Sequence, residues 1–120
     1  MNNNLDPIIK KYIDAVNNFD IDAILATFAD NAFVNDVHRE LQGIEVIKKW
    51  VEKEIVGVKV TIAVRETIEH YGTTIVRGAY DGEYDKTNLP AGDLILTNYF
   101  TVHDGKITSL IIIRNTPAGY

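Results

Sequence analysis

Residues Gly43–Ile68 read GIEVIKKWVEKEIVGVKVTIAVRETI, and the hydrophobic period changes in the middle of this stretch. Up to Gly57 the apolar residues recur at helical spacing. Ile44, Ile47, Trp50, Val51 and Ile55 face one way, and Glu45, Lys48, Lys49, Glu52 and Lys53 face the other. Gly57 ends that helix, and from there the period is two. Val58, Val60, Ile62, Val64 and Ile68 share one face of a long strand, opposite Lys59, Thr61, Arg65, Thr67 and Glu69. Upstream the chain stays helical. Pro7 suits a first helical turn, and Ile8, Ile9, Tyr12, Ile13 and Val16 form a stripe that Asn17-Asn18 stops. Asp20 reads as the N-cap of a second short helix carrying Ile21, Ile24, Leu25 and Phe28, and Ala32 to Val37 alternates as a strand. Downstream the chain stays extended. Gly72 turns it into a strand over Thr73 to Asp85, and Asn88, Pro90 and Gly92 mark a longer loop. A strand follows from Asp93 to His103, Asp104-Gly105 signals a hairpin, and Lys106 to Arg114 forms the last strand. Helices first, then strands joined by turns too short for crossover helices, predict an α+β fold with three N-terminal helices on one face of an antiparallel sheet.

The 120 residues make one ordinary domain, 1–120, with no linker, repeat or low-complexity segment. Hydrophobic residues are 46% and charged residues 24%, a globular balance. Twelve Lys and Arg against seventeen Asp and Glu leave a net charge of −5, which argues against unaided nucleic-acid binding. The chain has no cysteine, which removes disulfides, thiolate metal sites and Cys nucleophiles. Met-Asn-Asn-Asn lacks the regions of a signal peptide, and no apolar run approaches a membrane span, so a cytoplasmic protein without a membrane partner is expected. The second face of the strands keeps Ile75, Ala79, Ile95, Tyr99, Leu110 and Ile112, more apolar surface than water should meet. That predicts a homodimer through the sheet.

The chemistry is carried by polar residues at apolar parity. Asn98 interrupts the face of Leu94, Leu96, Phe100 and Val102, Asp36 shares a face with Ala32 and Val34, and Tyr12 lies in the first helix's stripe. Each has a plain structural reading: a core tyrosine with its hydroxyl at the edge, an amide satisfying backbone, an aspartate paired with Arg39. Together they offer a base and two neutral donors. A carboxylate in an apolar pocket loses hydration, which makes it a usable base, whereas an arginine within ion-pair reach acts the other way. Donors facing it can stabilise charge on a carbonyl oxygen. His38, His70 and His103 lack metal-site spacing, and there is no phosphate loop, nucleophile elbow or triad serine. No metal or cofactor is expected. Asp81, Glu83 and Asp85 read as a solvated rim or a guard against edge pairing, and a rim of this sign disfavours anionic ligands.

The order Tyr12-Ile-Asp-Ala-Val-Asn-Asn-Phe-Asp20, Phe28-Ala-Asp-Asn-Ala-Phe-Val-Asn-Asp36, Gly43 with Ile47, Asn98-Tyr-Phe100 and Asp104-Gly-Lys-Ile107 resembles the nuclear transport factor 2-like superfamily, in its SnoaL-like and ketosteroid-isomerase branch. The resemblance covers nearly the whole chain. It implies a curved sheet wrapped round a long helix, a cone with an apolar pocket, often dimerised through the sheet. It also implies roles: Tyr12 matches an oxyanion-donating tyrosine and Asp36 the proton-shuttling aspartate. Asn98 falls where the isomerases keep a protonated aspartic acid, held neutral by an apolar site. An amide there keeps the geometry and weakens the donor, and it puts a steroid substrate in doubt. Arg39 and Trp50 are similar to SnoaL-like proteins rather than isomerases. Epoxide hydrolysis is disfavoured, because Arg77 is followed by Gly78-Ala79 and not by an Arg-x-Asp pair. The same fold hosts several reactions and non-catalytic modules.

The resulting expectation is a pocket for a small apolar carbonyl compound, with Asp36 as base and Tyr12 and Asn98 as donors. Val16, Phe28, Val34, Trp50, Leu96, Phe100 and Arg39 complete the ligand-binding set. The chemistry would be proton transfer of isomerase, cyclase or lyase type. The alternatives are a non-catalytic ligand-binding or association domain, or a scaffold whose pocket has closed.

Overall fold

In the computed structural model, which describes residues 5–87 and 94–114, Asp6 caps the first helix by accepting the Ile8 N–H at 2.9 Å, and Pro7 fills its first turn. This helix, α1 (Pro7–Asn17), buries Ile9, Tyr12, Ile13 and Val16, the stripe the sequence predicts. Asp20 caps α2 (Ile21–Ala26) through the Ala23 N–H at 3.1 Å. Then come β1 (Phe28–Asp36), β2 (Arg39–Gln42) and α3 (Ile44–Trp50). α3 runs on into a wider π-helical turn, Val51–Ile55, closed by the Val56 N–H on the Val51 carbonyl at 2.8 Å. A Cβ on Gly57 would sit 2.6 Å from the carbonyl oxygens of Glu52 and Lys53, so only glycine fits where this helix stops. Strands β3 (Thr61–His70), β4 (Thr73–Asp81), β5 (Leu94–His103) and β6 (Lys106–Arg114) follow. The loop expected at Asn88, Pro90 and Gly92, and the strand start at Asp93, lie outside the described residues.

The strands form one six-stranded sheet in the order β2-β1-β6-β5-β4-β3. Antiparallel pairs dominate, but β1 runs parallel to β6, a departure from the purely antiparallel expectation. Register shifts in β1–β6, β3–β4 and β5–β6 bend the sheet around the helices. The core between the layers joins Ile9, Tyr12, Val16, Ile24, Ile47, Trp50, Val76, Phe100 and Leu110. The fold is α+β, three helices on a curved sheet.

One amide does backbone work at the free edge. Asn17 Nδ2 donates to the Ile62 carbonyl at 3.0 Å, and its Oδ1 accepts the Ile62 N–H at 2.7 Å. The side chain thus replaces a neighbouring strand on β3, which ends the sheet.

Three sequence expectations change. The strand expected over Ala32 to Val37 begins at Phe28, and β2 follows it through a two-residue turn whose Val37 and His38 both have positive φ, 47° and 74°. A Val-His pair carries no turn signal, so β2 could not be read from sequence. On β3, Val60 and Ile62 are buried, while Val64 and Ile68 are 38% and 43% exposed. The ladder skips Arg65 there, which moves Ile68 to the outer face opposite Ile75. On β6, Leu110 and Ile112 point into the core, and Ile111 and Ile113 are the exposed pair. The uninterrupted run Leu110–Ile113 gives no alternation from which to read its parity.

Candidate active site

A cavity of about 330 Å³ opens between the end of α3, its π-helical turn and the inner face of β4, β5 and β6. Its apolar wall includes Trp50, Ile55, Val60, Leu94, Leu96 and Ile112. Its polar groups are Asp36 and Tyr80, with Tyr84, Lys53, Glu54 and Asp85 also on its lining.

Asp36 stands at the last residue of β1 because the tight turn after it folds β2 back. The His38 N–H closes that turn on Asn35 Oδ1 at 2.8 Å, and Asp36 pairs in register with Arg39. Arg39 Nη2 donates to Asp36 Oδ2 at 3.0 Å, and the Trp50 indole N–H donates to the same oxygen at 2.9 Å. Among the described residues, no hydrogen bond falls on Oδ1. The carboxylate is 23% exposed, so it borders solvent without being immersed in it. Arg39 also donates to both oxygens of Glu54 on the π-helical turn. The hydrogen bond to Glu54, then that to Asp36, holds the guanidinium's pKa above its ordinary value. Trp50 and Arg39 fix one oxygen of Asp36 and leave the other open.

Asn98, 2% exposed on β5, is held by two bonds. Its Nδ2 donates to the Val76 carbonyl at 3.3 Å, in the cross-strand register the sheet dictates, and its Oδ1 accepts the Tyr80 hydroxyl at 2.8 Å. The amide is thus spent on the protein's own groups.

Tyr12 is 1% exposed and packs edge-on against Phe28 and Phe100, with ring centroids 5.7 and 5.6 Å apart. Phe100 shares the inner face of β5 with Asn98, so Tyr12 and Asn98 lie on one side of the sheet. The Tyr12 ring is part of the buried core. Burial raises the hydroxyl's pKa well above the ordinary value, and Tyr80 and Asp36 push it further up. Burial likewise raises the Tyr80 hydroxyl above the ordinary phenol range. The two phenols therefore stay protonated at neutral pH.

Of the residues the sequence singles out, Asp36, Trp50 and Leu96 line the cavity. Arg39, the cross-strand partner of Asp36, holds it without being among the lining residues, and Asn98 stands one hydrogen bond behind the wall, through Tyr80. Tyr12, Val16, Phe28, Val34 and Phe100 belong to the buried core and are not among the cavity's lining residues. Sequence reasoning missed Tyr80 and Glu54. Tyr80 carried a signal: it shares inward parity with Val76 and Gly78 on β4, as Asn98 does with Leu96 and Phe100 on β5. Glu54 carried none, because it sits on the charged side of its helix. His38, His70 and His103 each stand at the end of a hairpin.

A family model for the SnoaL-like domain matches residues 9–110. No curated protein matches the chain. Among solved structures, a Sinorhizobium meliloti protein assigned as a polyketide cyclase is 30% identical, covers 90% of this chain and 94% of its own, and superposes with a TM-score of 0.78. An epoxide hydrolase/cyclase-like enzyme of pyran ring formation in the polyether salinomycin is 22% identical, with 91% and 88% covered and a TM-score of 0.78. A Kribbella flavida protein assigned as a ketosteroid isomerase is 12% identical, with 96% and 80% covered and a TM-score of 0.75. These last two share the fold. The chain belongs to the SnoaL-like domain family, within the nuclear transport factor 2-like fold.

Proposed function

We propose that the cavity binds a small, mostly apolar molecule and that Asp36 exchanges a proton with it beside a carbonyl group, in a step of isomerase, cyclase or lyase type. The observation that carries this reading is the asymmetry of Asp36. One carboxylate oxygen is pinned by Trp50 and Arg39, and the other takes no bond from a described residue at the edge of an apolar cavity. A base needs that arrangement: fixed in direction, with a lone pair to spare. Tyr12 stands in the core between Phe28 and Phe100 and not on the cavity lining, so the reading rests on Asp36. Asn98 acts through Tyr80 rather than on the ligand. The relative assigned as a polyketide cyclase favours the same class of chemistry.

A second reading is a non-catalytic ligand-binding domain of the same fold. It is favoured by Asn98 being satisfied by Tyr80 and Val76, and by the ion pair between Asp36 and Arg39. Native mass spectrometry of protein purified without denaturation tests the shared part. A co-purified small molecule that Leu96→Trp or Leu94→Trp abolishes supports the cavity as the binding site. A ligand retained unchanged in both variants contradicts it.

A further inference from the structure

We propose that the ligand of this cavity carries a hydroxyl (phenolic, alcoholic or enolic) that it donates to the Tyr80 oxygen. The inference rests on the reading of the cavity as a ligand site and adds the chemical class of the ligand.

The Val76 carbonyl is an acceptor that no side chain can alter. It selects the amide orientation of Asn98, because the reverse orientation would set Oδ1 against a second oxygen at 3.3 Å. With Nδ2 on Val76, Oδ1 faces Tyr80. An amide oxygen only accepts, so the single Tyr80 proton goes to it, at 2.8 Å. What Tyr80 has left for the cavity it lines is lone pairs. Asp36, on the same wall, likewise only accepts when ionised. A ligand carbonyl placed at Tyr80 would meet oxygen lone pairs, and engaging it would require breaking the bond to Asn98 and leaving a buried amide oxygen unpaired. A ligand hydroxyl there adds a bond without breaking one. The carbonyl of the proposed reaction therefore belongs away from Tyr80, and the ligand is a hydroxylated apolar compound. At about 330 Å³ the cavity holds a compact molecule, near the lower end of small-molecule sites.

The test compares 4-tert-butylphenol with 4-tert-butylanisole, its methyl ether, which keeps the oxygen and loses the donor. Binding is measured by calorimetry. Trp50 is the single tryptophan, and its indole N–H resonance reports occupancy of the cavity. Wild-type protein is expected to bind the phenol about five- to tenfold more tightly, the worth of one neutral hydrogen bond. Tyr80→Phe removes the acceptor, and Asn98→Leu frees the Tyr80 proton to point into the cavity. Both are expected to bring the preference to within about twofold, and Asn98→Leu to gain affinity for the ether. Equal binding of the two probes to wild type overturns the inference and leaves the cavity reading standing. A preference that survives in both folded variants also overturns it, because Asp36 would then be the acceptor. Failure of both probes to bind or to move the indole resonance overturns the cavity reading itself, and the inference with it.

Discussion

Tyr80→Phe deletes one hydroxyl at constant ring shape and strands the Oδ1 of Asn98, which is 2% exposed and takes its hydrogen bond from Tyr80 at 2.8 Å. Leaving a buried acceptor unpaired costs about 1–3 kcal/mol. Two effects reduce this. The phenol's own burial no longer has to be offset, and Asn98 stands one residue behind a cavity where water can enter. We expect a net loss of about 1–2 kcal/mol. A chain of 120 residues unfolds with an entropy that makes each kcal/mol worth about 4 °C at the midpoint, so the melting temperature should fall by about 4–8 °C at pH 7. Calorimetry reads this directly, and urea unfolding should show a lower midpoint at an unchanged slope. Combining Tyr80→Phe with Asn98→Leu should cost less than the sum of the single changes, because the double variant strands neither partner of the bond. A melting temperature within about 1 °C of wild type for Tyr80→Phe would refute the proton accounting on which the polarity of the pocket rests.

Other outcomes follow from the same geometry. Gly57→Ala should destabilise by about 1–3 kcal/mol, since its Cβ meets two backbone carbonyls at 2.6 Å; an unchanged urea midpoint contradicts this packing. Arg39→Ala should cost under about 1 kcal/mol, because the guanidinium is half exposed and exposed pairs contribute little; a loss beyond about 3 kcal/mol would show a buried network instead. The raised pKa values of Tyr12 and Tyr80 mean that the unfolded chain releases these protons first. Stability held below about pH 10 should therefore fall as pH rises further, and Tyr12→Phe should flatten that fall in alkaline melts. We propose that the protein dimerises through its outer sheet face, where Ile68, Ile75, Tyr99 and Ile111 form one cross-strand row. Sedimentation should find a dimer at micromolar concentration that Ile111→Lys dissociates, and a wild-type monomer contradicts it.

The period change at Gly57 was enough to divide the chain into helices and sheet, because burial on a helix and on a strand leaves different spacings in the sequence. What it could not supply is where a ladder slips. The skipped Arg65 and the four consecutive apolar residues of β6 changed which side chains face the helices, and neither leaves a trace in alternation. Asp36 and Asn98 were visible as polar residues among apolar ones, but their partners distant in sequence, Trp50 and Tyr80, were not. The bond from Trp50 to Asp36 spans fourteen residues and that from Tyr80 to Asn98 eighteen, and both depend on sheet curvature and register rather than on local pattern. Arg39 was legible as a partner because it lies three residues from Asp36 across a hairpin, although the hairpin itself was not.

The central claim, that Asp36 is a positioned base in an apolar ligand cavity, is tested most directly with a substrate that asks only for a base. 5-Nitrobenzisoxazole is apolar and compact. Loss of its C–H proton to a carboxylate breaks the N–O bond and gives 2-cyano-4-nitrophenolate, which is followed by absorbance, and the proton then passes to solvent. The wild-type protein should open the ring saturably at pH 7, and Asp36→Asn should lower the rate by about 10²–10⁴, the contribution of a placed base. Asp36→Asn that remains folded and turns the probe over at the wild-type rate, or a wild-type rate no greater than that of acetate at equal concentration, would contradict the claim.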